Sequence, residues 1–215
     1  MSALINANLF RIAHAFASKE GTRYYLQGVF VVRHQHHGVN LVVTNNHRMI
    51  VIHDEKGETD LEGVIVKLDK NALALCKADK REPGERRLRI HGDGEVEILA
   101  YEGEQKVSSF RQCIVDGTFP AWDRVIPREF NGEQAMFNSA YLGDFGTAAR
   151  ELTGTKEAAL RIVYNGDGPA LVRFRTIEHA FGVLMPIRDD GACALPEFYT
   201  MPAWNADDEL KLAAE

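Results

Sequence analysis

Five of the eight histidines fall between residues 34 and 53, so transition-metal binding is the first chemistry that the sequence raises. Imidazole nitrogen is a common ligand of zinc, copper and nickel. The loop spacing is His-x-His-His, but no cysteine lies nearby, and only Asp54 and Glu55 supply adjacent carboxylates. We therefore predict exposed loop histidines without a bound metal for the set His34, His36, His37, His47 and His53.

Catalytic motifs are absent from the sequence. It has no Gly-x-Ser-x-Gly, no Walker loop, no Gly-x-Gly-x-x-Gly after a strand and no cysteine–histidine signature. The glycine pairs at 92 and 94 and at 166 and 168 predict hairpin turns rather than phosphate loops. Cys76, Cys113 and Cys193 are widely separated, which favours a reducing, cytoplasmic setting without a disulfide framework. We predict no enzyme and no cofactor; an enzyme with an unrecognised site is the least favoured alternative.

Basic side chains gather on two predicted helical segments, although the whole chain is acidic with a net charge of −6. A protein that grips DNA over its whole surface is usually basic, so this balance argues against a conventional DNA-binding domain. One basic face remains compatible with loose phosphate contact; the alternative is an ordinary solvated surface. No apolar run approaches the ~20 residues that span a bilayer, so we expect no membrane partner. The basic set is Arg11, His14, Lys19, Lys67, Lys70, Lys77, Lys80 and Arg81.

Hydrophobic periodicity divides the chain into three similar units of roughly 60 residues, each a helix with a meander of strands. Helices are predicted at residues 3–18, 67–80 and 139–152, and Gly21 is expected to be the left-handed C-cap of the first. Asn165 and Gly166 predict a hairpin turn in the third unit. The fold class is therefore α+β. Strands are predicted at residues 24–32, 39–43, 49–53, 64–66, 88–90, 95–101, 106–114, 134–137, 159–164, 170–176 and 180–187.

Residues 118–127 separate the second unit from the third. Pro120 and Pro127 have no backbone N–H groups to donate to a neighbouring strand, so this stretch cannot be a central strand or a helix. Phe119, Trp122 and Ile126 give it too much apolar surface for a free linker. We predict an ordered, extended connector packed between two structural units; an edge strand followed by a loop is the alternative.

Three motifs in order resemble the bacterial sliding clamp, the beta subunit of DNA polymerase III. Residues 119–127, Phe-Pro-Ala-Trp-Asp-Arg-Val-Ile-Pro, resemble the connector between its second and third domains. Residues 23–29 and 43–49 resemble its Arg-Tyr-Tyr-Leu-x-Gly and Thr-Asp-Gly-His-Arg-Leu pair, with Asn45 and Asn46 in place of Asp-Gly. Residues 183–188, Val-Leu-Met-Pro-Ile-Arg, resemble its C-terminal Val-Met-Pro-Met-Arg. Asn tolerates the left-handed conformation, so the turn at residues 45 and 46 should survive.

The resemblance implies a DNA-clamp-like fold and a shortened domain order. Residues 1–117 match the family's central domain, with two units. Residues 118–127 are the connector, and residues 128–190 match only the second half of the last domain. Residues 191–215 fall outside the match, and we expect this tail to pack on its own or a neighbouring subunit near the cleft. Such a reduced form suits a phage, prophage or plasmid replication system.

The resemblance also implies a peptide-binding cleft. Methionine, leucine, valine and proline would hold apolar anchors of an extended peptide, while arginines would meet its polar atoms. The alternative is that these residues only form the core and the interface between units. Carried over by position, the cleft consists of Leu26, Thr44, His47, Arg48, Met49, Pro120, Arg124, Val125, Val183, Leu184, Met185, Pro186, Ile187 and Arg188. We expect the peptide to lie between units two and three.

The function implied is that of a sliding-clamp-like processivity or recruitment factor. It would bind a DNA polymerase and a clamp loader through linear motifs and encircle double-stranded DNA without reading bases. The DNA-facing set would be Arg11, Lys19, Lys67, Lys70, Lys77, Lys80 and Arg81. The alternative is a peptide-binding adaptor or decoy that never encircles DNA.

The resemblance implies an oligomer as well. Clamp rings of this family line their hole with twelve helices, and three predicted helices per chain would need four chains. An unpaired third unit also exposes a sheet edge that needs a partner. We expect a homodimer at least, and a tetrameric ring as the functional form.

Overall fold

Two antiparallel sheets and three α-helices form the fold, in agreement with the predicted α+β class; the computed structural model describes residues 1–78, 84–100 and 105–188. The helices are α1 (Ala7–His14), α2 (Lys70–Leu75) and α3 (Ser139–Thr153). The strands are β1 (Ser2–Asn6), β2 (Val29–Arg33), β3 (Val39–Thr44), β4 (Arg48–Asp54), β5 (Glu58–Thr59), β6 (Val64–Val66), β7 (Arg87–His91), β8 (Val96–Ala100), β9 (Gln105–Phe110), β10 (Ile114–Val115), β11 (Leu160–Val163), β12 (Ala170–Phe174) and β13 (Ile177–Leu184). Two 3₁₀-helices span Gly21–Leu26 and Trp122–Val125.

The N-terminal segment differs from the single helix predicted at residues 3–18. Its first part is the strand β1, because Ala3 and Ile5 alternate into the core and β1 pairs with β7 about 85 residues away. Asn6 ends that strand and caps α1, and its Oδ1 accepts hydrogen bonds from the backbone N–H groups of Asn8 and Leu9. Gly21 starts a 3₁₀-helix instead of capping α1, so that prediction is wrong.

The other two helices match their predictions to different degrees. The helix α2 has six residues and is shorter than residues 67–80, of which 79 and 80 lie outside the described residues. Asp69 caps it through a 2.8 Å bond from the Ala72 N–H. The helix α3 has nearly its predicted length, with Asn138 as N-cap and Gly154 at φ 70° as the left-handed C-cap.

The three predicted units exchange strands. One sheet has the order β5-β1-β7-β8-β9, so a strand of the first unit lies beside strands of the second. The other has the order β10-β6-β2-β3-β4-β13-β12-β11, so it contains strands from all three units. Predicted hairpins at Gly94 and Gly166 are confirmed, since both have a positive φ between paired strands. Residues 24–26 are helical rather than strand, and residues 134–137 contribute only the bridge between Met136 and Ile187.

Two hydrophobic clusters cover opposite faces of the eight-stranded sheet, because side chains alternate along each strand. The main core lies between this face, the five-stranded sheet and the helices; Ile50, Ile52 and Leu184 point into it. The outer cluster lies under the connector and contains Leu26, Val42, Met49, Val51, Ile65, Phe119 and Val183.

Candidate peptide-binding groove

The turn between β3 and β4, residues 45–48, is held by its own side chains. Asn46 adopts a positive φ of 73°, which asparagine tolerates. The Asn45 Oδ1 accepts hydrogen bonds from the N–H groups of His47 at 3.1 Å and Arg48 at 2.9 Å. Thr44 Oγ1 donates to the Arg48 carbonyl at 2.9 Å. The turn expected at the Asn45-Asn46 pair is therefore present and rigidly bonded.

The connector packs across the outer face of the eight-stranded sheet. Phe119 is nine-tenths buried and stacks on Phe30 of β2, with ring centroids 4.7 Å apart and planes within 5°. Trp122 and Ile126 pack against the same cluster. The connector is ordered as predicted, but it includes the short 3₁₀-helix Trp122–Val125 instead of being extended throughout.

The strand β13 brings the third motif beside the second. Val183 faces Met49 in the ladder between β13 and β4, and the Met185 N–H donates to the His47 carbonyl at 2.9 Å. Ile187 N–H then donates to the Met136 carbonyl at 2.8 Å. The groove therefore lies between the first and third units, rather than between units two and three as expected.

These three segments enclose one apolar groove, with a cavity volume of about 100 Å³. Val125 and Met185 leave large apolar surfaces in it, 44% and 38% exposed. The groove is lined by Thr44, Asn46, His47, Arg48, Met49, Pro120, Ala121, Trp122, Val125, Val183 and Met185.

The structure brings together part of the predicted cleft. Thr44, His47, Arg48, Met49, Pro120, Val125, Val183 and Met185 line the groove. Arg124, Pro186, Ile187 and Arg188 do not line it. Leu26 and Leu184 are fully buried and cannot contact a peptide. Leu184 follows Val183 in one strand, so the pleat turns it to the opposite face.

Three lining residues were missing from the sequence-based set: Asn46, Ala121 and Trp122. The signal for Trp122 was present, since an indole in a proline-bounded connector needs an apolar partner. Ala121 offers no such signal, because its methyl side chain has no polar group and little apolar surface.

Arg48 connects the groove with the helical layer. It is 7% exposed, and its Nη2 lies 2.7 Å from the Asp144 Oδ2 of α3. Its guanidinium carbon lies 4.8 Å from the centroid of the Phe16 ring and 4.9 Å from that of Tyr141. His47 stacks on the same Tyr141 ring, with centroids 5.9 Å apart.

The helical face, meaning the exposed sides of α1 and α3 where they pack together, carries balanced charge. Arg11 of α1 is ion-paired with Glu151 of α3 and also bonds to Asn8. Asp144 and Glu151 both lie beside the shallow pocket between the two helices. Of the other predicted DNA-facing residues, Lys19, Lys70 and Lys77 are exposed, Lys67 donates to Gln27 Oε1 at 2.7 Å, and Lys80 and Arg81 lie outside the described residues.

The histidine-rich loop lies between β2 and β3, where His36 and His37 are exposed. His34 and His53 have ring centroids 4.4 Å apart, and burial together with the neighbouring imidazoles lowers the pKa of His34. Within residues 1–78, 84–100 and 105–188, no group of three or more His, Cys, Asp or Glu side chains is arranged to hold a metal ion. No helix among these residues is long and apolar enough to cross a membrane.

We compared the sequence and the structure with known proteins, and only the comparison of structures gave matches. No family model and no curated protein matches the sequence. The structure is similar to the DnaN sliding clamp (DNA polymerase III subunit beta) of Bartonella birtlesii bound to griselimycin, with a TM-score of 0.65 and 20% identity over 87% of this chain and 66% of that one. It is also similar to the DNA polymerase sliding clamp of Pseudomonas aeruginosa and the DNA polymerase III beta subunit of Thermotoga maritima, each with a TM-score of 0.62 and 17% and 15% identity.

Both of these matches also cover 87% of this chain, and they cover 66% and 65% of the clamps. The chain thus spans just under two thirds of the length of the clamps that it matches. The resemblance carried by the three sequence motifs is confirmed at the level of the fold. This chain has the fold of the bacterial sliding clamp, the beta subunit of DNA polymerase III, over part of that clamp's length.

Proposed function

We propose that the groove binds short extended peptides of replication proteins, and that the chain acts as a shortened clamp-like recruitment and processivity factor. The observation that carries this proposal is the meeting of three segments, distant in sequence, at one apolar groove. Each segment contains one of the motifs that resemble the clamp family. A groove lined by methionine, valine, proline and tryptophan suits leucine and phenylalanine anchors.

The charge around the groove favours a peptide with few charged anchors. Arg48 is already paired with Asp144, so the lining offers mainly apolar surface. Polar recognition would come from the exposed imidazole of His47 and the amide of Asn46, both at the rim. The interface is small, so we expect a dissociation constant near the micromolar range.

The test is a fluorescence-polarisation titration with a labelled peptide carrying Gln followed by Leu and Phe. Met185→Asp should weaken binding at least tenfold, because it places a carboxylate in the apolar groove. The matched control is Val107→Asp, since Val107 is 40% exposed on β9, a strand of the other sheet. Normal binding by a folded Met185→Asp variant would contradict the peptide-groove proposal.

The processivity role further requires that assembled chains surround double-stranded DNA with their helices and the loops that follow them. The exposed Lys19, Lys70 and Lys77 would make loose, salt-sensitive phosphate contacts. The role that we propose is one of binding and not of catalysis. The cytoplasm, where replication proteins are found, is the setting that this function implies.

A second candidate function is a peptide-binding adaptor that does not encircle DNA. The balanced charge of the helical face favours it, since Arg11 is neutralised by Glu151 and Asp144 adds another carboxylate nearby. A clamp should remain on closed circular DNA and slide off after linearisation, whereas an adaptor should not be retained on either form.

A further inference from the structure

Arg48 has its main chain in the groove wall and its side chain on the other side of the sheet. Its N–H and carbonyl hold the turn of residues 45–48 through Asn45 and Thr44. Along β4 the neighbouring Met49 points to the outer cluster, whereas Ile50 points to the main core. Arg48 therefore reaches the helices α1 and α3 from a position beside the groove.

The buried charge of Arg48 is held by few partners. Asp144 supplies the one carboxylate paired with it among the described residues, and the rings of Phe16 and Tyr141 cover the guanidinium faces. Its Nη2 also lies 3.4 Å from the Ala15 carbonyl, and its buried Nε has no hydrogen-bond partner within the described residues. A buried cation that loses its counter-ion is strongly disfavoured, so its position depends on Asp144.

Asp144 itself lies outside the groove and would not contact a bound peptide. It is 43% exposed, lies beside the pocket between α1 and α3, and does not line the groove. Any effect of Asp144 on peptide binding must therefore pass through Arg48.

We propose that Asp144 is a positioning residue for the groove and that it acts through Arg48. This inference rests on the proposed peptide-binding function. Without the Asp144 carboxylate, the Arg48 cation is drawn away from its buried position toward water. That movement pulls on the turn of residues 45–48, which carries Asn46 and His47 into the groove wall and is bonded to Thr44. The stack of His47 on Tyr141 of α3 is disturbed by the same movement.

The chain provides a matched control on the same helix. Arg11 and Glu151 form a second ion pair between α1 and α3, and neither residue lines the groove. Asp144→Asn and Glu151→Gln are equal chemical changes, each removing one carboxylate charge from the helical face. If the two variants differ in peptide affinity or in amide exchange, the difference reports the effect that Asp144 exerts through Arg48.

The first measurement is the affinity for the labelled Gln–Leu–Phe peptide. Asp144→Asn should weaken it about tenfold, Glu151→Gln should change it less than twofold, and Asp144→Glu should restore most of the loss. In an Arg48→Met background, which is neutral and keeps the apolar contacts, Asp144→Asn should have no further effect. This double variant also remains foldable if Asp144→Asn alone is unstable, because it leaves no unpaired charge.

The second measurement does not depend on any peptide. Hydrogen exchange of the His47 and Arg48 amides, both bonded to Asn45 Oδ1, should be about tenfold faster in Asp144→Asn than in Glu151→Gln. Equal exchange in these two variants, or equal peptide affinity of the wild type and a folded Asp144→Asn, would overturn the inference. Failure of the wild type to bind peptide would instead contradict the proposed function, and the exchange comparison would still decide the role of Asp144.

Discussion

Replacing Gly182 with alanine would place a methyl group against the ring of Phe145. An ideal Cβ at residue 182 lies 3.0 Å from the Phe145 Cδ1 and 2.6 Å from its Cζ, and the second distance is closer than Cβ atoms approach other atoms in real proteins. Gly182 belongs to β13, which supplies Val183 to the groove and leads directly into Met185. The absence of a side chain at this position lets α3 sit close to the sheet.

Neither partner can move easily. The Phe145 ring is fully buried and packs against Phe16 and Phe174, at centroid distances of 4.9 Å and 6.5 Å. Gly182 is paired on both sides, with Ile50 of β4 and Val172 of β12. Overpacking a rigid core costs about 1–3 kcal/mol, and we expect the upper end here. For a chain of this size a loss of about 3 kcal/mol lowers Tm by roughly 6–12 °C.

Urea denaturation followed by circular dichroism measures this loss directly. The matched controls are Gly143→Ala and Gly146→Ala on α3, whose added Cβ atoms would meet no backbone or ring; each should stabilise the helix by about 0.5–1 kcal/mol. Phe145→Ala alone should cost about 3–5 kcal/mol through its cavity. In that background Gly182→Ala should cost less than about 1 kcal/mol, because the ring that it meets is gone. A Gly182→Ala variant as stable as the wild type would refute the close packing of α3 on β13.

Two further outcomes are expected. Burial, with a contribution from the charge of Lys67, lowers the pKa of His14 from 6.5 to about 4. The stabilisation of the fold by the neutral imidazole is therefore fully present above pH 6.5, and it is lost as the pH falls toward 4. The unfolding free energy of the wild type should therefore fall by about 3 kcal/mol more than that of His14→Leu over this range, and equal falls would contradict it. Light scattering should give a mass of two or four chains with or without DNA. A stable monomer at high micromolar concentration would remove the ring and favour the adaptor.

The sequence predicted which distant segments lie together where motifs carried the information. Three of the four segments that resemble the clamp family, residues 43–49, 119–127 and 183–188, meet at Met49, Val125 and Met185, whereas residues 23–29 do not line the groove. It predicted less well which side chains point into the groove. Val183 and Leu184 were both assigned there, although neighbouring residues of a strand face opposite sides. Applying the period of two to β13 would have removed Leu184.

Long-range strand exchange accounts for most of the remaining differences. The apolar residues between 2 and 6 fit the spacing of a helix, but pairing with β5 and β7 makes this segment a strand. Likewise β6 leaves the second unit to pair with β2, and β10 pairs with β6 at the edge of the same sheet. Pairing between strands that are far apart in the sequence depends on the whole chain, so a local sequence pattern cannot predict it. The connector shows the reverse case, because its prolines restricted the backbone strongly enough to predict order.

The ladder between β4 and β13 joins two of the three segments that line the groove. Five residue pairs, from Ala180 with Ile52 to Leu184 with Arg48, join the first and third units within one sheet. The two groove segments that carry Met49 and Met185 are therefore held at the spacing of adjacent strands, about 4.8 Å, with no hinge between them. Such a groove is preorganised: a ligand loses its own conformational entropy on binding but does not have to order the receptor.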